Sequence, residues 1–292
     1  MEGVGLELVG QNHVSSGKTR RSLKIFMAQE LIIEAGRTEG QYWRDVWRYR
    51  ELFYFLAWRD FLIRYKQTYV GVVWALIRPV LTMFVLTMVG RFAKLPTNGV
   101  PTPLFMYCAL LPWQFFSTTV SESSISFVYN ANLVSKVYFP RLVVPASCVI
   151  ISFVDFFISA VFLVILLFYY RFVPPAAIIF LPFFVLLIFG ASLGAGLWTA
   201  ALTVKFRDFR FVVPFIVQFG LFASVLFPGK GHLLYSLNPI VGIIDGFRWC
   251  ILGGENVIYW PAFVASVVGV TFTVITGLWY FRKTERILAD II

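Results

Sequence analysis

Histidine and cysteine are scarce here: two His and three Cys in 292 residues. His13 and His232 are too far apart to suggest a shared ion. Cys108, Cys148 and Cys250 lack CxxC spacing and lie in or near apolar stretches, so buried free thiols are expected rather than disulfides, zinc or haem. Charge is scarce too. Only 14% of residues are charged, against about 25% in soluble domains, so water is not the solvent for most of the surface. Catalytic patterns are missing: there is no Gly-x-Ser-x-Gly and no His-Glu-x-x-His, and the acids are scattered rather than clustered. Gly17-Lys18-Thr19 mimics the end of a phosphate-binding loop. Asn12 stands where that loop needs glycine, and no apolar strand precedes it, so no nucleotide site is expected there. The first 36 residues are mixed in charge and hold no short apolar core before a cleavage site, so no secretory signal is expected.

What is abundant is apolar sequence. The hydrophobic fraction is 59%, with 32 Phe, and mean hydropathy is +0.78. Six apolar stretches run roughly over 70–90, 103–127, 142–170, 174–204, 211–229 and 257–281. Each reaches the about 20 residues that carry a helix across a hydrocarbon core of ~30 Å. The chain is expected to be all-α and integral to a membrane, with six transmembrane helices per protomer.

Net charge is +10, but its placement argues for a membrane rather than a nucleic acid. With the N-terminus cytosolic, only Arg91, Lys94, Arg171, Lys230 and Arg248 fall in outside segments; the other 20 of 25 basic residues fall inside. The positive-inside rule then puts both termini in the cytosol.

The polar segments divide the chain into a cytosolic start over 1–40, partly disordered, then an interfacial segment over 41–68 and a membrane domain over 69–292. In 41–68, aromatic residues interleave with cations. Leu52, Phe55, Leu56, Arg59, Leu62 and Ile63 fall at helical spacing, which predicts an amphipathic helix in the headgroup layer. It serves as a surface anchor or as a gate that a partner moves. Residues 130–141 predict a short amphipathic cytosolic helix with Leu133, Val137 and Tyr138 on one face and Pro140 as its stop. Residues 230–256 are broken by Pro239, Gly242, Gly246, Gly253 and Gly254, so their pieces are too short to span. An external re-entrant or surface-lying helical pair between spans five and six is expected.

Ionisable groups inside spans need a partner or a reason. Arg78 and Glu122 reach similar depths and are expected to face one another or water. Asp155 sits near the middle of the third span with no basic group at its level in the sequence. It is expected to bond Ser152 or Ser159, or to serve a proton path. Pro79, beside Arg78, predicts a kink. Aromatic residues supply the remaining signal. Phe211, Phe215, Phe219 and Phe222 fall within about 80° on one helical face, and Trp113 pairs with Phe116. Such a stripe either lines a carbohydrate passage or packs against lipid and protein.

The run from Trp58 to Pro79, containing Arg59-Asp60, Arg64-Tyr65-Lys66, Trp74 and Arg78-Pro79, resembles the start of bacterial type-2 ABC exporter permeases for polysaccharides. Leu111-Pro112-Trp113 with Phe115-Phe116, Asn130 through Phe139-Pro140-Arg141, Phe206-Arg207-Asp208 and Phe281 through Arg286 with Ala289-Asp290 also match, in order, over roughly 31–292. The resemblance implies a homodimer in the bacterial inner membrane, paired with two copies of an ATPase chain that binds ATP and Mg, with no cofactor in this chain. It implies a gate helix over 41–68, bearing Trp58, Arg59, Asp60, Arg64 and Tyr65. An ATPase-coupling helix would carry Asn132, Leu133, Lys136, Val137, Tyr138 and Arg141. The implied cargo is a lipid-linked polysaccharide, extruded through a channel between protomers. Trp74, Trp113, Phe116, Phe215, Phe219 and Phe222 are the channel-lining candidates. Export of small drugs or lipids, ion-coupled transport and, more distantly, a membrane glycosyltransferase stay open at this point.

Overall fold

Apolar composition and helical spacing produce a chain of helices in the computed structural model, which describes residues 39–66, 71–136, 139–226, 238–253 and 259–291. The helices are α1 (Glu39–Arg48), α2 (Arg50–Lys66), α3 (Gly71–Phe92), α4 (Thr102–Tyr129), α5 (Ala131–Lys136), α6 (Val143–Tyr169), α7 (Leu181–Lys205), α8 (Phe209–Leu221), α9 (Pro239–Leu252) and α10 (Trp260–Ile291). A 3₁₀ turn, Ala176–Phe180, leads into α7, and a π turn, Phe222–Leu226, extends α8. The helices from Trp43 onward form one unit; of the unit before it, only 39–42 is described.

Four of these helical segments are long and apolar enough to cross a membrane: Val143–Tyr169, Ala176–Lys205, Phe209–Leu226 and Trp260–Glu285. The chain is therefore an all-α integral membrane protein with at least these four membrane-length apolar helices. The first two expected apolar stretches are also helical, α3 with 22 residues and α4 with 28. Helix α3 runs through Pro79.

Helix α4 is the centre of the packing. It contacts α3, α6, α7, α8 and α9, and from Leu104 to Trp113 every residue is buried. Its second half is rich in serine, and most of the bonded hydroxyls stay local. Ser117 donates to Gln114 O (3.0 Å), Ser124 to Ser121 O (2.7 Å) and Ser126 to Ser123 O (2.8 Å), while Ser123 donates across to Pro145 O of α6 at 3.4 Å. Backbone acceptors of the same helix thus absorb much of the polar cost that burial would otherwise impose.

Helix α9, with 14 residues, is about 21 Å long at ~1.5 Å per residue, too short to span. It is buried nearly all round, from Ile240 to Leu252. Asn238 caps it by accepting from the Ile240 N–H at 3.1 Å. Arg248, counted in the sequence among the basic residues of the outside segments, is enclosed by protein rather than solvated in a loop. Only 2% exposed, it donates to Val225 O at 2.7 Å and to Asp245 at 3.5 Å, and its guanidinium lies 4.2 Å from the Phe105 ring centre. It ties α9 to the π turn and to α4. An internal role explains why the charge-counting rule does not apply to it.

Helices α7 and α10 approach closely through small residues, as membrane helices do. A Cβ on Gly194 would sit 2.8 Å from the Thr273 backbone, and one on Gly277 would sit 2.5 Å from Gly194 O. Gly190, on the same helix, has its nearest such neighbour at an ordinary 3.4 Å. Gly194→Ala is therefore expected to destabilise by about 1–3 kcal/mol through overpacking, whereas Gly190→Ala is tolerated. Thermal unfolding of the two variants in detergent checks this; equal midpoints would contradict the close contact.

Candidate functional site

The segment expected to be one interfacial helix over 41–68 is, in its described residues, two helices with a turn at Tyr49. Hydrogen bonds continue across it, from Tyr49 N–H to Asp45 O and from Phe53 N–H to Tyr49 O. Helix α2 also orients its charges differently from expectation. Leu56, Asp60 and Arg64, spaced four apart, share one face with Ala57. Leu56 and Ala57 are buried, while Tyr54, Phe55, Trp58 and Ile63 are exposed. The rings of Tyr54, Phe55 and Trp58 thus point outward, and Asp60, Arg64 and Tyr65 face inward. The inward charges find carboxylates on α4 and α6, which the spacing of α2 residues alone does not reveal.

Arg64 is the hub. Its Nη2 donates to Glu122 Oε1 at 2.8 Å, and its Nη1 donates to Asp155 Oδ2. The adjacent Tyr65 hydroxyl donates to Asp155 Oδ1. One guanidinium from α2 therefore bridges a carboxylate on α4 and one on α6. Burial opposes the Arg64 charge, but the fields of Asp155 and then Glu122 outweigh it and raise its pKa. Burial, and then the bond to Asp155, push the Tyr65 phenol upward. At neutral pH, Arg64 is charged and Tyr65 keeps its proton.

This corrects two expectations. Asp155 has a basic partner, supplied by α2 across 91 residues of sequence, rather than a serine of its own helix. Arg78 and Glu122 line the same cavity, but among the described residues the ion pair of Glu122 is with Arg64, and none joins it to Arg78.

A second contact ties α2 to the start of α5. Arg59 donates through Nε and Nη2 to Asp60 at 2.8 and 2.6 Å, and through Nη2 to Asn130 Oδ1 at 2.7 Å. Asn130 is a joint. Its side-chain amide donates to Ser126 O at 2.9 Å on α4, and its backbone carbonyl accepts the N–H groups of Leu133 and Val134, both at 3.0 Å. The sequence marks Asn130 only as the first residue of the 130–141 segment; its bond to Arg59 joins residues 71 positions apart, which spacing does not reveal.

The coupling candidates scatter. Asn132 and Lys136 are exposed on α5, and Leu133 is half-buried; Val137 and Tyr138 lie outside the described residues. Arg141 faces the chain's own last helix. Its N–H donates to Glu285 Oε1 at 2.9 Å and its Nη1 to Glu285 O at 3.2 Å.

The aromatic candidates with described side chains do not converge within the chain. Trp113 is 5% exposed and packs α4 on α8: a Cβ on Gly220 would meet its ring at 2.6 Å. Phe116 lies 5.7 Å from it. Phe215 and Phe219, with ring centres 4.5 Å apart, are 62% and 61% exposed on the outer side of α8, and Phe222 is exposed beside them. Trp74 lies on α3, its side chain outside the described residues.

Three adjoining cavities surround the Arg64 cluster. One of about 570 Å³ lies among α2, α3, α4 and α6. Another of about 520 Å³ reaches Arg59, Asp60, Asn130 and Cys148. A third of about 590 Å³ lies between α3, α4 and α8 and reaches Gln218. Glu122 lines all three. Among the described residues, no group of three or more His, Cys, Asp or Glu is placed to hold a metal ion.

Arg64→Met leaves two carboxylates facing each other without their cation. Loss of hydrogen bonds to a charged group is worth on the order of 1.5–3 kcal/mol, and thermal unfolding is expected to fall accordingly. Adding Glu122→Gln and Asp155→Asn recovers part of that loss. With Arg64 kept, the exchange Arg78→Glu with Glu122→Arg sets a second cation beside Arg64 and is expected to lower the unfolding midpoint; an unchanged midpoint would contradict the pairing.

Residues 51–252 match the ABC-2 type transporter family. The chain is similar to the O-antigen export system permease protein RfbA of Myxococcus xanthus, 29% identical over 214 residues, covering 70% of this chain and 82% of the relative. It is also similar to two proteins of that name from Klebsiella pneumoniae, at 27% and 26% identity, each covering 80% of this chain and 92% of the relative. With more than half its length matched, and with its membrane-length apolar helices arranged around α4, this chain belongs to the ABC-2 type transporter family of membrane permeases.

Proposed function

We propose that this chain is the channel-forming membrane subunit of an ATP-driven exporter that moves lipid-linked polysaccharide across the bacterial inner membrane. The similarity to O-antigen export permeases supports the cargo class. In this reading the chain forms a homodimer with six spans per protomer, α3, α4, α6, α7, α8 with its π turn, and α10, and with both termini in the cytosol. Two copies of a separate ATPase chain bind ATP and Mg and supply the work. The short buried helix α9 belongs to an external re-entrant segment.

The observation that carries the mechanism is the set of contacts on α2. Helix α5 with the residues that follow it, on the cytosolic side, is the place where an ATPase would push, Leu133, Val137 and Tyr138 being the candidates. Asn130 begins that helix and holds Arg59 of α2. Five residues along α2, Arg64 holds α4 and α6 together at the edge of the polar cavities. A displacement of α5 therefore reaches α2 through one side chain and strains the Arg64 cluster. Helix α2 acts as a gate: closed while Arg64 bridges Glu122 and Asp155, open when that bridge parts. Two carboxylates on one guanidinium suit a reversible latch, because much of the Coulomb gain is offset by desolvation.

The Asp triple variant of Leu133, Val137 and Tyr138 is expected to leave ATP hydrolysis measurable while polysaccharide stops reaching the cell surface. Surface glycan staining beside ATPase assay of the purified complex reads both. Normal export in that variant would remove the docking role. A chain that purifies with no ATPase and translocates cargo under a proton gradient would point instead to an ion-coupled carrier.

A further inference from the structure

The cavity of about 570 Å³ among α2, α3, α4 and α6 has a composition suited to one class of ligand. Its charges cancel, with Arg64 and Arg78 set against Glu122 and Asp155. An anion or a cation gains no net field from such a set. Lipid tails are disfavoured because Gln114, Thr118, Ser152 and Ser159 also line the walls. Ser152 is 1% exposed, and its hydroxyl has no hydrogen-bond partner although it borders the cavity. A buried hydroxyl left in this way costs free energy until something bonds it. Phe115 and Phe156 supply an apolar wall. The volume lies within the roughly 300–1,000 Å³ of small-ligand sites.

A row of rings on α2 ends at this cavity. Tyr54, Trp58, Phe61 and Tyr65 follow one another with ring centres 6.3, 5.5 and 4.8 Å apart. The outer members, Tyr54 and Trp58, are exposed, and Tyr65 lines the cavity with its hydroxyl on Asp155. Neutral hydrogen-bonding groups beside flat apolar faces match the two surfaces of a sugar ring: hydroxyls around the edge and C–H groups across the face.

We propose that this cavity, inside a single protomer, binds a short neutral segment of the exported glycan, and that the ring row on α2 leads the segment to it. The proposal rests on the polysaccharide reading above and adds a location to it. Glycan contacts the space behind α2 rather than only the outward aromatic face of α8. The Arg64 bridge sits in the wall of the site, so opening the latch and admitting the sugar are one event.

Site-specific photo-crosslinking tests this in cells that make the polysaccharide and express the full chain with its ATPase. A benzoylphenylalanine is placed at Phe156 or Thr118 in the cavity, at Phe215 on the outer face of α8, and at Phe168, an exposed site at the far end of α6, as control. Retained co-purification of the ATPase confirms that each variant is folded. The expected result is a glycan-shifted band at Phe156 and Thr118 and none at Phe168. Absence of sugar adduct at both cavity positions overturns the proposal whatever Phe215 gives, and so does an adduct carrying lipid without sugar. A glycan adduct at Phe215 alone overturns the location while leaving polysaccharide export standing. Cells that lack the chain yet keep a full surface glycan overturn the export reading itself.

Discussion

Charge inside a membrane protein must be neutralised where it stands, and in this molecule that requirement is met by bringing a helix in from outside the core. Glu122 and Asp155 lie on two apolar helices. Neither α4 nor α6 carries a cation to answer them. Arg64 does so from α2, with Tyr65 completing the coordination of Asp155. The consequence is mechanical: α2 is fixed to the helix core chiefly through polar contacts that can be exchanged for others, rather than through deep apolar burial. Leu56 and Ala57 are its only buried residues.

The rest of the architecture gives these contacts something rigid to act against. Helix α4 is enclosed by five neighbours, with Ser117, Ser124 and Ser126 bonded within the helix and Ser123 bonded across to α6. Arg248 knits α9, the π turn and α4 into one body, and glycines allow α7 and α10 to touch backbone to backbone. Against that body, α2 and α5 are small elements joined to it at identifiable side chains, Arg59, Arg64 and Asn130. Work delivered at the cytosolic face has few other routes to the polar cavities, which is why the proposed mechanism runs through those residues.

Much of this was legible in the sequence. The apolar runs coincide with α3, α4, α6, α7, α8 and α10 because length and hydropathy are local properties. The gaps around Pro239 and Gly253 announced a helix too short to span. Pairing was not legible. Arg78 and Glu122 matched in depth, yet depth along two helices does not fix the rotation of either, and Arg64 took the acid. Asp155 looked isolated because its partner lies 91 residues earlier, on a segment read as facing the headgroups. Arg248 looked like a loop charge because a guanidinium stacked on Phe105 leaves no local mark. The bonds of Arg141 to Glu285 join residues 144 positions apart, which spacing does not reveal.

In the proposed cycle the contact of α2 with α6 opens during transport. A disulfide across it tests this directly: Cys108, Cys148 and Cys250 are first replaced, then one cysteine is placed in α2 beside Arg64 and another in α6 beside Asp155. The oxidised complex is expected to hydrolyse ATP but to move no glycan into or out of vesicles, and reduction to restore movement. Undiminished transport with the bridge fully formed would contradict it.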